Sequence, residues 1–206
     1  MNVAGPVLRD VDTQVDFVRG SGRLPVPDAE SAAPAMALLV AAARESGIPH
    51  VASADDHELT DPELSAEPDF ATTYPPHCLR GTAGAEKVPE TRQVDPVPLA
   101  LTRVPERWLR GREFLLLKKH FDVFTNPNAE PLLRLLDPAE VVLFGVATDV
   151  CDDAAVRGLR TRGIPVTFVA DASRGLDERR TAACLARWRE DGVRFASLDE
   201  ALATLR

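Results

Sequence analysis

The chain has 206 residues, 45% of them hydrophobic, with a formal net charge of −8 and a pI near 5.1. That length supports one substantial core and a single domain over 1–206, and the acidic balance excludes non-specific nucleic-acid binding, which needs a basic footprint. No apolar run approaches the roughly 18–20 residues of a membrane span, the N-terminus lacks a signal-peptide layout, and Cys78, Cys151 and Cys184 have no framework spacing, so a reduced, cytoplasmic protein is expected.

In chain order, "PVLRDVD" (6–12) reads as a first strand, unusually polar at Arg9 and Asp10 for a central parallel strand. "DAESAAPAMALLVAAARESG" (28–47) reads as a helix with Asp28 as N-cap and Gly47 as stop, beginning either there or at Pro34. "IPHVASAD" (48–55) is a second strand. Residues 56–112 are rich in Pro, Thr, Gly and acids and read as a long, ordered connection, a kind of segment that usually carries function. Strands follow at 113–119, 140–146, 164–171 and 193–197, with helices at 128–137, 150–162, 177–192 and 198–206. This alternation predicts an α/β fold, a parallel sheet of six strands covered on both faces. Ligands of such sheets sit beyond the carboxyl ends of the strands, where Asp12, Asp55, Lys118 and the turn before Cys151 all fall.

Cys151 stands where "VVLFGVATDV" hands over to a helix. Alone it reads first as a small buried apolar residue, and second as a thiol activated by helix N–H groups, which also suit an oxyanion. Asp12 supplies a base and Lys118 a cation if the fold brings them together. Asp152 and Asp153 should raise the thiol pKa, yet both lie in the helix's first turn, where carboxylates suit the dipole and can point away from the sulfur. "SADDHELTD" sets Asp55 and His57 on one side of an extended segment, and His77 completes a carboxylate-and-two-imidazole set able to hold a divalent ion with open positions. Cys78 reads as packing.

Together, "VDTQVDFV" (11–18), "ADDH" (54–57), "YPPHCLRGTAGAE" (74–86), "LKKHFDVF" (117–124) and "GVATDVC" (145–151) resemble the isochorismatase-like cysteine hydrolases, in particular the nicotinamidase-related amidases. The resemblance implies a three-layer α/β/α sandwich with a six-stranded, mainly parallel, Rossmann-like sheet. It implies Asp12 as catalytic carboxylate, Lys118 rather than Lys119 as cation, and Cys151 as nucleophile. It also implies a cis peptide between Val146 and Ala147, an oxyanion hole from the N–H groups of Ala147 and Cys151, and metal ligands Asp55, His57 and His77. Zinc is the expected metal, with manganese and iron as alternatives. Phe17 and Tyr74 are candidate substrate-pocket walls, the substrate being a small nicotinamide-like amide cleaved through a thioester.

Asp56 and Tyr74 stand where nicotinamidases usually carry Trp, and Asp152 where an apolar residue is common, so the resemblance puts nicotinamide itself in question. The alternatives are isochorismatase-type hydrolysis of another small substrate, which needs no cysteine, and a catalytically inactive metal-binding member. The family further implies a homo-oligomer, dimer or tetramer, while the acidic charge and the lack of a long apolar run predict no nucleic-acid or membrane partner.

Overall fold

A computed structural model describes residues 5–206. Its strands are β1 (Pro6–Val11), β2 (His50–Asp55), β3 (Val97–Leu99), β4 (Glu113–Lys118), β5 (Glu140–Val146), β6 (Val166–Arg174) and β7 (Arg194–Ala196). Its helices are α1 (Val15–Val18), α2 (Ala29–Glu45), α3 (Ala129–Leu136), α4 (Cys151–Arg160), α5 (Glu178–Glu190) and α6 (Leu198–Thr204). The strands form one sheet in the order β3-β4-β2-β1-β5-β6-β7, and every neighbouring pair is parallel.

The expected six strands become seven. The added strand, β3, is three residues long, lies at the sheet edge and contains Pro98. Three residues carry too little periodicity to read, and proline is tolerated at an edge because one side of the strand needs no ladder bond. The helices divide between the faces. Leu39 and Ala43 of α2 and Ala201 of α6 join one apolar cluster. Leu132 of α3, Val156 of α4 and Trp188 of α5 join the other.

Several boundaries move. The second helix begins at Ala29 and carries Pro34 inside it. The Asp28 side chain makes no cap bond; it reaches Arg174 at 3.0 Å instead. Gly47 (φ 67°) and Gly163 (φ 74°) take the left-handed conformation expected at helix stops. β6 runs on to Arg174 because its pairing with β5 slips between Leu143 and Gly145, bringing Gly145 opposite Ser173.

The polar character of β1 has a local explanation. Arg9 Nη1 donates to the carbonyls of Asp10 (2.8 Å) and Val51 (3.1 Å). Asp10 accepts Lys87 Nζ at 2.9 Å and the Thr13 hydroxyl at 2.8 Å. Burial pushes the Asp10 carboxyl upward, but Lys87 and His50 outweigh it and hold it at about 2. Lys87 comes from the long 56–112 connection, which is therefore anchored in the core.

The order of strands places β1 between β2 and β5, so successive crossovers leave it in opposite directions. This is the switch point of the sheet, where a crevice opens beyond the carboxyl ends. Asp12 follows β1 there, and Cys151 begins α4 after β5.

Candidate active site

Lys118, the last residue of β4, is 1% exposed, and its ammonium is shared three ways. Nζ lies 2.8 Å from Asp12 Oδ2, 2.5 Å from Asp55 Oδ1 and 3.6 Å from Cys151 Sγ. Ser53 Oγ donates to Asp12 Oδ1 at 2.5 Å. Parallel register sets this up, because Asp55 of β2 lies opposite Lys118 of β4. Burial alone would lower the lysine pKa, but Asp12, Asp55 and Cys151 raise it well above the ordinary value, so it stays an ammonium.

Burial pushes the Cys151 thiol well up, Lys118 pulls it back, and Asp12 and Asp55 push it up again. The carboxylates that govern the thiol are thus its partners across the sheet. Asp153 points away, accepting Trp188 Nε1 at 2.9 Å and Arg187 Nη2 at 2.5 Å. Asp152 turns inward and is wholly buried, and neither of its oxygens has a hydrogen-bond partner among the described residues. Burial, then the Asp12 charge, lift its pKa well above its ordinary value, with Arg9 opposing, which favours the neutral form and weakens any charge it sets against a thiolate.

The Val146–Ala147 peptide is cis. The Ala147 carbonyl accepts the N–H groups of Val150 (2.9 Å) and Asp152 (3.1 Å), which folds the turn tightly against the start of α4.

Beside Lys118, one ligand atom each from Asp55, His57 and His77 lie within 4.8 Å of one another. Both rings present Nε2 to Asp55 Oδ2, at 3.9 Å for His57 and 3.8 Å for His77. Each ring is held by its other nitrogen: His57 Nδ1 lies 3.2 Å from Asp61 Oδ2, and His77 Nδ1 lies 2.7 Å from the Pro75 carbonyl. A ring donating through Nδ1 keeps a lone pair on Nε2. Burial lowers the His57 pKa, favouring the neutral ring that binds metals, and His57 Nε2 is buried with no hydrogen-bond partner among the described residues. The donor set fits a divalent ion.

The family model for the isochorismatase domain matches residues 10–200. The chain belongs to the isochorismatase family. It is 30% identical over 193 residues to the nicotinamidase/pyrazinamidase of Mycobacterium tuberculosis, covering 89% of this chain and 94% of that protein. Among solved structures it is similar in fold to the pyrazinamidase of Pyrococcus horikoshii in complex with zinc, at 24% identity and a TM-score of 0.75 over 93% of this chain and 98% of that one. It is similar also to the N-carbamoylsarcosine amidase of Thermoplasma acidophilum, at 24% identity and a TM-score of 0.74 over 95% and 98% of the two chains.

In this isochorismatase-family chain, a narrow cleft opens over Cys151, walled by Phe17, Tyr74, Phe121, Val150 and Leu176 with His77 at one side. The two aromatic residues read from sequence as pocket walls, Phe17 and Tyr74, are both in it. Phe17 stands 5.1 Å from the His77 ring and Tyr74 packs edge-on to Phe121 at 5.7 Å. Cys78 is buried, its thiol pushed well up by burial, and it serves as packing.

Supporting residues went unread in the sequence. Gln14 holds the Asp55 backbone at both ends, accepting its N–H (2.7 Å) and donating to its carbonyl (2.8 Å). Asp16 accepts the Cys78 N–H at 2.7 Å, which fixes the chain beside His77. Both belong to the "VDTQVDF" motif, and their fixed offsets from Asp12 were the available signal. Asp61, four residues after His57, is anchored by Lys119 Nζ at 2.7 Å. Glu63 is a further buried carboxylate here, its pKa raised by burial, and it accepts the Phe121 N–H at 2.9 Å.

Proposed function

We propose that this single-domain protein is a metal-containing cysteine amidohydrolase that cleaves a small amide through a thioester. The observation that carries the reading is Lys118 Nζ within reach of Asp12, Asp55 and Cys151 at once. Asp12 would take the thiol proton and Lys118 would stabilise the thiolate. Sγ would then attack the amide carbonyl carbon. The N–H groups of Ala147 and Cys151 would hold the oxyanion. Asp12 would return the proton to the departing ammonia or amine, leaving a thioester, and would then activate a water to hydrolyse it to the acid. Asp55, His57 and His77 would hold a divalent ion, zinc first. When bound, the ion supplies a Lewis-acidic contact for a substrate acceptor atom and fixes the pose. Phe17 and Tyr74 would flank the acyl group.

The relatives' names support amide hydrolysis, one curated homologue being a nicotinamidase/pyrazinamidase. The three free cysteines suit a cytoplasmic setting, and a homo-oligomer is part of the reading. An ammonia-release screen over primary amides, including nicotinamide and pyrazinamide, tests it. Turnover that Cys151→Ala abolishes is the expected result; a zinc-loaded, folded protein that releases ammonia from no amide would sink it.

A further inference from the structure

We propose that Arg180 is a positioning residue, whose guanidinium clasps the turn carrying Cys151 to the segment carrying Tyr74 and so sets the width of the cleft. The role of the cleft rests on the amidase reading above; the clasp itself is geometry. Asp149, two residues before Cys151, has a wholly buried side chain. Its Oδ1 accepts the Leu176 N–H at 2.6 Å, and its Oδ2 accepts the Asp177 N–H at 3.2 Å and Arg180 Nε at 3.0 Å. The same guanidinium donates through Nη1 to the Phe70 carbonyl at 2.5 Å, and the Tyr74 hydroxyl donates to that carbonyl at 3.3 Å.

The Phe70 carbonyl is presented by a built turn. Phe70 is non-glycine yet left-handed, at φ 54°. Asp69 Oδ1 gathers the N–H groups of Ala71, Thr72 and Thr73 at 2.8–2.9 Å, which holds the segment in that shape. Leu176 and Tyr74, two walls of the cleft, thereby hang from one buried carboxylate, the first directly and the second through Arg180. Exposed ion pairs contribute little. Here the carboxylate is buried and the bonds are charge-assisted and oriented, which makes them geometric constraints as well as contacts.

Arg180→Ala, compared with the unaltered zinc-loaded protein, separates this from a merely structural role. Labelling of Cys151, located by peptide mass mapping, is read with small iodoacetamide and with bulky fluorescein maleimide. Loss of the clasp is expected to raise the maleimide-to-iodoacetamide rate ratio about tenfold, since small displacements of pocket walls have large rate effects. On an amide the protein turns over, KM is expected to rise about tenfold with kcat within about threefold. A folded variant with an unchanged ratio, or one in which both reagents gain equally as the melting temperature falls, overturns the proposal. Should Arg180→Ala not fold, Arg180→Lys keeps a cation facing Asp149 without the second arm and is read in the same way. If the unaltered protein cleaves no amide, the amidase reading fails, while the labelling ratio still decides the clasp.

Discussion

A lysine between two carboxylates and a thiol has to satisfy all three, and that decides what its removal does. Without Lys118 the thiol keeps the upward push of burial, Asp12 and Asp55 and loses the cation that opposes them. Lys118→Ala should slow iodoacetamide labelling of Cys151 near neutral pH about tenfold or more, one pKa unit being a factor of ten in thiolate. Equal rates in mass-mapped peptides would remove the lysine from the thiol's electrostatics. Asp152 offers a second residue-scale test. Its folded pKa lies well above the unfolded one. Above the ordinary carboxylate range the unfolded chain has therefore released a proton that the native state retains, so stability falls as pH rises toward the folded pKa. Asparagine does not titrate. Asp152→Asn should thus be more stable than the parent at pH 7, by about 1 kcal/mol or more, with the advantage shrinking toward pH 4; urea unfolding at both values measures it. Asp12, Lys118, Cys151, Asp55, His57 and His77 were legible because each sits at a strand end or in a short motif. Ser53, Asp61 and the inward turn of Asp152 were not, since a hydroxyl on a strand or an acid in a first helical turn has many roles, and only tertiary contact selects one.

At the scale of elements, close approach of β1 and β5 forms the floor of the crevice. Gly145 sits at φ 145°, and a Cβ there would run into the carbonyl and side chain of Val11. Gly145→Ala should cost about 2–4 kcal/mol through overpacking and backbone strain, read as a lower urea midpoint; a change under about 0.5 kcal/mol would show that the strands can part. The long strands were readable from apolar runs such as "VVLFGV", and the helices from their stops. β3 and α1 were not, being three and four residues long. The 56–112 connection has little period of its own because side chains from elsewhere hold it: Gln14, Asp16 and Asp10 bind Ala85, Cys78 and Lys87.

Across the whole molecule, the three candidate ligands Asp55, His57 and His77 converge from β2, the turn just after it and the middle of the long connection, so occupancy should tie that connection to the sheet. Asp55→Ala and His57→Ala proteins should lose bound metal by elemental analysis; unchanged occupancy would remove the site. Zinc at about a hundred times its Kd should stabilise the metal-free protein by about 2.7 kcal/mol, as a rise in melting temperature. The α/β class and both layers followed from the alternation of elements, whereas strand order was invisible, because no local pattern says which strands become neighbours. That order has a consequence for synthesis. β1 leaves the ribosome well before one of its two partners, β5, which begins only at Glu140. The central strand must wait half-paired while most of the chain is translated, a state in which exposed edges invite aggregation. Nascent chains arrested before Glu140 should stay sensitive to protease, and those extended past β6 should become resistant; early resistance would mean that β1, β2 and β4 fold as a unit before Cys151 exists.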